Sequence, residues 1–456
     1  MSSAVAASLG NCLTGGSQIV SRSTKIIMTR MLRGERLGRY ADGFAVAVAV
    51  ALPWSTTLTY LFIALWVVTL IGSWSIAERL REPWVLMAGV LPVALWALAA
   101  AGMLWADVSL AERIDGLNSF HKLLAIPLLA IQFRESGRGM WVLVGFLVSC
   151  TVLLLVSWGL ILLPGLSWRG RERVVGGRAM IGIPTKDYIS QSTMFTLCIL
   201  GLAEGSLLTW HKGRRRLALM LVLLAVAFLA NILHAATSRT ALVALPILLA
   251  LFAFMRLGWK GAAGLLISIM ALVAVAWPTS AYLRERVTGF FEEVQKYRPT
   301  GDSTPAGERL EFWRKSVIII ADAPVVGHGT GSIGEQFRHT VVGQTGMAAL
   351  ASTNPHNQVF AIAIQLGLVG ALLLLAMWIA HLRFFRGAGM AAGIGLLIVA
   401  QNIISSLFNS SLFDFTHGWA YVLGVGVLCG VVLHDRSRRP SAMDSDRPNA
   451  ATTALS

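Results

Sequence analysis

The sequence predicts an all-α, polytopic membrane protein of about 12 transmembrane helices with one large, partly helical extramembrane loop. Three observations predict it. Of 456 residues, 55% are hydrophobic and only 13% are charged, about half the charged share of an ordinary soluble domain. Mean hydropathy is +0.67. Apolar runs of roughly 20 residues, the length that crosses the hydrocarbon core as a helix, recur along almost the whole chain. These runs are continuous rather than alternating, which argues against spanning strands.

The elements follow in order. Residues 1–39 form a basic arm carrying Arg22, Lys25, Arg30, Arg33 and Arg36, without the apolar region and cleavage site of a secretory signal. Met28 or Met31 could serve as the natural start. The first two helices, 40–54 and 57–75, are divided by Pro53-Trp54-Ser55. Helices at 83–104, 119–133, 140–163 and 187–209 follow, then 217–234, 239–256 and 261–278. A polar stretch, 279–354, interrupts the series. Apolar runs return at 355–379, 388–410 and 417–434, and 435–456 reads as a disordered tail.

Orientation follows from the short loops. Arg79 and Arg81, Arg134 and Arg138, the 212–216 cluster, Arg256 and Lys260, Arg383 and Arg386, and Arg436, Arg438 and Arg439 all fall on the side of the basic arm. That side is cytoplasmic by the positive-inside rule. Lys plus Arg exceed Asp plus Glu by 38 to 23, and orientation accounts for much of the excess. No nucleic-acid partner is expected. Of the four cysteines, Cys150, Cys198 and Cys429 lie in apolar runs and Cys12 in the arm. They read as small packed side chains rather than disulfides or a metal cluster.

Some arginines break the bias. The outer loop 164–186 carries Arg169, Arg171, Arg173, Arg178 and Lys186 against one acid, Glu172. The outer segment 279–354 is also rich in arginine. A solvated or headgroup-facing surface is one reading. An anionic ligand is the other: arginine offers phosphate a planar fork of donors, which makes these five residues candidates for substrate binding. Within 279–354, Leu310, Trp313, Val317 and Ile320 repeat at helical spacing, as in an amphipathic helix lying on the membrane. The glycines of "GHGTGS" at 327–332 could nest an anion or simply turn the chain.

"NPHNQVFAIAIQLGLVG", 354–370, combines a polar start with an apolar helix. Asn354 suits an N-cap and Pro355 the first helical position. His356 then stands at the second, where the helix dipole disfavours imidazolium and keeps the neutral ring a general base needs. Gly367 and Gly370 follow by 11 and 14 residues, about three and four turns, so all three would share a face open to another helix. A structural histidine beside a packing stripe is the plainer alternative.

"HNQVFAIAIQLGLVG" also fits the pattern H-[NSQ]-x9-G-x-x-[GTY] at every defined position. It resembles the signature of the O-antigen ligase family, which joins O-antigen to lipid A–core. "TSRTALVAL" at 237–245 resembles the family's arginine motif at the outer end of a helix. "GERLEFW" at 307–313, followed by "PVVGHGTG" at 324–331, resembles its loop arginine and glycine-rich follow-on. The resemblance covers most of the chain beyond residue 40. It implies a GT-C-like fold in the bacterial inner membrane, with the 279–354 loop periplasmic. It implies a glycosyltransferase, expected to need no metal or cofactor because the sole D-x-D, Asp444-Ser445-Asp446, lies in the tail and the outer loops carry arginines and only scattered acids. The donor would be O-antigen on undecaprenyl diphosphate, the acceptor lipid A–core, with membrane lipids around both.

The resemblance makes His356 the base and Arg239 and Arg309 the stabilisers of the departing diphosphate. Asn357, the second motif position, is a substrate-binding candidate. Asp414 could hold a tautomer of His356 or pair an arginine, and Lys122 could touch a headgroup. An O-antigen polymerase or protein O-oligosaccharyltransferase would use the same donor and differ only in acceptor. A lipid-linked sugar flippase is the alternative of another class. Transport sites favour ionisable residues near the membrane midplane, and here the deep parts of the runs are nearly free of charge.

Overall fold

The computed structural model describes residues 34–73, 83–163, 174–175, 178–179, 182–235, 238–279, 281–387 and 389–438. Among these residues the chain is all-α apart from one antiparallel ladder, in which Val174 pairs with Ala179 and Val175 with Arg178. The helices are α1 (34–51), α2 (Thr56–Ser73), α3 (Pro83–Gly102), α4 (Leu110–Asn118), α5 (Ala125–Ser136), α6 (Met140–Leu162), α7 (Tyr188–His211) and α8 (Arg215–His234). Then come α9 (Arg239–Thr279), α10 (Ala281–Gln295), α11 (Pro305–Asp322), α12 (Ile333–Thr340), α13 (Gln358–Phe384), α14 (Met390–Ser406) and α15 (Phe415–Arg438).

Each of the twelve expected stretches is mainly helical where described, though some ends, among them 52–54, 355–357 and 407–410, are not. Seven helices are long and apolar enough to cross a membrane, or up to eight if the bent pair α4 and 121–136 is one span. Gly89–Gly102 and α14 are apolar but shorter. Two boundaries move. Helix already covers 34–39 of the expected arm, and α15 runs to Arg438, four residues into the expected tail.

Glycine breaks divide two long helices. At 1.5 Å per residue, an unbroken α9 would be about twice the hydrocarbon thickness. It is interrupted at Gly258 (φ 71°, ψ −171°), between the two expected spans. Helix α13 is interrupted at Gly367 (φ 62°, ψ −163°). The 324–331 loop fills that gap. Pro324 and Val325 carbonyls accept from Leu368 and Val369 N–H at 2.8 and 3.2 Å, and His328 and Gly329 N–H donate to Ile364 and Gln365 carbonyls at 2.9 Å. Backbone polar groups freed inside an apolar bundle need partners, and the loop supplies them. A Cβ at Gly367 would collide with the Val325 carbonyl.

The central element is α15, buried along almost its whole length. It packs on α5 and α14. A Cβ at Gly430 would stand 2.8 Å from the Ala130 carbonyl, so glycine there permits the close approach to α5. The polar segment folds as α10 to α12 over one end of the bundle. On α11, Thr304 caps the start by accepting from Gly307 N–H, with Pro305 in the first turn.

The face α11 turns to the protein differs from the expected apolar stripe. Val317 is exposed and Leu310, Trp313 and Ile320 are half-buried, while Glu311, Phe312, Lys315 and Ile319 are buried. The polar members of that face are satisfied. Tyr297 Oη donates to Glu311 at 2.6 Å. Lys315 Nζ donates to the Ala348 and Leu350 carbonyls at 2.7 and 2.8 Å.

Candidate functional site

His356 does not stand inside the helix. Helix α13 begins at Gln358, and its N-cap is Asn357, whose Oδ1 accepts from Val359 and Phe360 N–H at 2.9 and 3.2 Å. Asn354 makes a turn instead: its Oδ1 accepts from His356 N–H at 2.9 Å and from Ser410 Oγ at 2.8 Å. His356 is left with φ of 53°, a left-handed conformation rare outside glycine and one that surrounding structure must impose.

The expected face shared with Gly367 and Gly370 therefore does not exist. Gly367 admits the loop at Val325, and a Cβ at Gly370 would meet Leu366 and Ile362 of its own helix. The glycine-rich turn is not an anion nest either. The N–H groups of 327–330 go to carbonyls of Ala323, Ile364, Gln365 and Gly102, and Gly331 N–H goes to Gln365 Oε1.

The imidazole lies nearly parallel to the Phe312 ring, 17° apart with centroids at 6.2 Å. Its Nδ1 is 3.2 Å from Asn409 Oδ1. Burial pushes its pKa down, and the Arg309 cation adds to this, against the Asn409 hydrogen bond and the Glu308 charge. The ring is thus held neutral by burial and a neighbouring cation.

Arg309 precedes Phe312 by one turn of α11. It is half-buried and forms no ion pair among the described residues. Burial lowers its pKa; Tyr188, Glu293 and Glu308 oppose that, and Arg239 adds to it. A guanidinium nonetheless stays charged. Arg239 opens α9 and makes a bidentate pair with Glu293, at 3.0 and 2.6 Å. Its Cζ lies 5.5 Å from the Phe290 ring centroid, and its Nε is buried without a hydrogen-bond partner. Glu293 also accepts from Ala306 N–H at 2.9 Å, tying α10, α9 and the start of α11 together. Arg239 acts electrostatically on Arg309 and Arg309 on His356, a link between positions far apart in sequence.

The other candidates are elsewhere. Arg169, Arg171 and Arg173 lie outside the described residues, as does the side chain of Arg178. Lys186 has φ of 48°; its Nζ donates to Thr416 Oγ1 at 2.8 Å and lies 5.1 Å from the Phe415 centroid. Burial lowers its pKa to about 8, against Asp414 and Asp187. Asn357 spends its amide oxygen on the helix start. Asp414 Oδ1 accepts from His417 N–H at 2.8 Å, so the place expected for it beside His356 belongs to Asn409. Lys122 is buried and donates to the Phe413 and Asp414 carbonyls at 3.0 and 2.9 Å. It is an internal tie, not a headgroup contact.

A cavity of about 460 Å³ lies behind Asn354 and Asn409, with Glu112, Asp115, Asp414 and Arg338 among its lining. No group of three or more His, Cys, Asp or Glu suited to a metal occurs among the described residues; Asp444 and Asp446 lie outside them. Sequence reasoning missed Glu293, Asn409, Phe312 and Tyr188. Phe312 sits in the "GERLEFW" stretch but was not singled out there; Glu293, Asn409 and Tyr188 lie in no recognised motif, and folding brings them to the arginines and the histidine.

With the geometry in place, comparison with protein families is informative. The family model described as O-antigen ligase matches residues 224–375. The matched stretch contains Arg239, Arg309 and His356 and supports assignment to the O-antigen ligase family. No curated protein matches the chain.

Proposed function

We propose that the protein is an O-antigen ligase: it transfers polysaccharide from undecaprenyl diphosphate to a sugar hydroxyl of lipid A–core at the periplasmic face of the inner membrane. The observation that carries this reading is the electrostatic link from Arg239 to Arg309 and from Arg309 to His356, inside a stretch that matches the family. The neutral imidazole removes the hydroxyl proton as the oxygen attacks the anomeric carbon. The C–O bond to the diphosphate breaks, and its electrons leave on the phosphate oxygen. Attack opposite the leaving group inverts the anomeric centre.

Arg309, half-buried without a bound carboxylate, is poised to stabilise the charge developing on that oxygen. Arg239 contributes through the same field, and Glu293 occupies its fork until an anion competes for it. Two guanidiniums in a partly dry site supply the charge that a divalent ion supplies in other transferases. Transfer by purified protein is therefore expected to survive excess EDTA. Loss of turnover restored by magnesium contradicts this charge assignment.

An O-antigen polymerase is the second reading, because the family match is equally at home with it and the acceptor is the only difference. Deletion of the gene with lipopolysaccharide gels separates the two. Loss of the ladder with lipid-linked O-antigen accumulating supports the ligase; a band of core plus a single repeat supports the polymerase.

A further inference from the structure

We infer that Asn409, oriented by Asn354, is a positioning residue that fixes which nitrogen of His356 carries the proton, leaving Nε2 as the proton-accepting atom. The inference rests on the proposed base role of His356 and adds a residue to it. It follows from donors and acceptors that cannot be exchanged. A backbone N–H only donates, so the His356 N–H at 2.9 Å identifies the Asn354 atom facing it as the amide oxygen. Ser410 Oγ donates to the same oxygen at 2.8 Å.

The other end of the Asn354 amide is then the NH2 group, which also only donates. It lies 3.3 Å from Asn409, so the Asn409 atom facing it is the oxygen. That oxygen is the one 3.2 Å from His356 Nδ1. An amide oxygen accepts and never donates. Nδ1 therefore carries the proton, and the lone pair of the neutral ring is on Nε2.

The local backbone serves the same end. The left-handed φ of His356 is held by the Asn354 turn on one side and the Asn357 cap on the other. Phe312 lies along the ring face. The charged groups acting on the ring, Arg309 and Glu308, both come from α11. The first three turns of α13 carry no charge. In the 407–414 segment the single carboxylate, Asp414, binds His417 N–H. No carboxylate is hydrogen-bonded to the imidazole among the described residues, so the neutral amide of Asn409 sets its tautomer without adding a charge.

Two substitutions and one spectrum test this. Asn409→Ala is expected to lower kcat by ~10- to 100-fold, the range typical of a lost outer partner of a functional histidine, with KM for donor and acceptor little changed. Asn409→Asp keeps an acceptor for Nδ1–H but adds a negative charge. Its pH–rate midpoint should rise by about one unit or more, with turnover recovered above that midpoint. Unchanged kcat in the alanine variant, or an unmoved midpoint in the aspartate variant, overturns the assignment.

Should both variants fail to fold, the full-length protein still answers. The 15N resonances of His356, identified by their loss in His356→Gln, must show a protonated Nδ1 and a bare Nε2 at neutral pH. A protonated Nε2 refutes the inference even if His356→Ala proves inactive. Conversely, turnover in a folded His356→Ala removes the base role while the tautomer result stands.

Discussion

Between residues 327 and 331 each backbone N–H is already hydrogen-bonded within the protein, four of the five to α3 or α13. On α11, by contrast, Arg309 is half-buried with no carboxylate paired to it among the described residues. Both regions belong to the polar segment that looked alike in sequence: glycines or arginines able to hold an anion. The difference lies in what folding leaves unspent. The glycine loop fills a broken membrane helix with two of its N–H groups and spends the other three on Ala323, Gly102 and the Gln365 side chain. The arginine keeps its donors, as does the buried Nε of Arg239. Ligand-binding capacity resides where polar groups stay uncommitted inside a partly dry surrounding, and committed groups specify the fold.

The comparison is broken most severely at Gly367. Its left-handed φ and the neighbouring Val325 carbonyl leave no room for a Cβ. Gly367→Ala should cost at least ~3 kcal/mol from backbone strain and collision, read as a large drop in melting temperature. A stable variant would mean the seam is not structural. Next in size is Arg309→Ala, expected to slow transfer about a hundredfold with the melting temperature nearly unchanged. The mirror-image result, normal turnover with loss of stability, would make Arg309 part of the scaffold as well.

The smallest effect sharpens the electrostatics. His356 is pushed below the ordinary imidazole value of about 6.5 by burial first and Arg309 second. A base works unprotonated, so turnover should be flat above pH 6.5 and fall only as pH drops through a lower midpoint. Removing the Arg309 cation takes away one of the two depressing causes. The residual activity of Arg309→Ala should therefore show a midpoint moved upward, incompletely because burial remains. A midpoint that is unmoved or moves down would separate the arginine from the histidine.

The helices were legible because an apolar run of spanning length has few other fates, and all twelve expected stretches are mainly helical where described. The helix start at His356 was not. Asn354 and Asn357 are both good caps, and Pro355 favours the earlier one. The earlier asparagine is instead held by Ser410, a contact 56 residues away that no local pattern contains. Gly367 was read as a packing glycine because a left-handed break and a small packing face look identical in sequence. Likewise Asn409 lies 53 residues from His356, and Asp414 was the more conspicuous polar residue nearby. The arginines were found through a family resemblance; their partner Glu293 was not, because "FFEEV" carries no spacing that marks it.

The central claim is that the uncommitted cluster around His356 performs the transfer. Purified His356→Ala, checked for folding by thermal melting, should be assayed with undecaprenyl-diphosphate-linked polysaccharide and lipid A–core. A general base contributes ~10²- to 10⁴-fold, so product formation should fall by at least a hundredfold while the melting temperature stays near that of the unmodified protein. Substantial product from a folded variant would contradict the account.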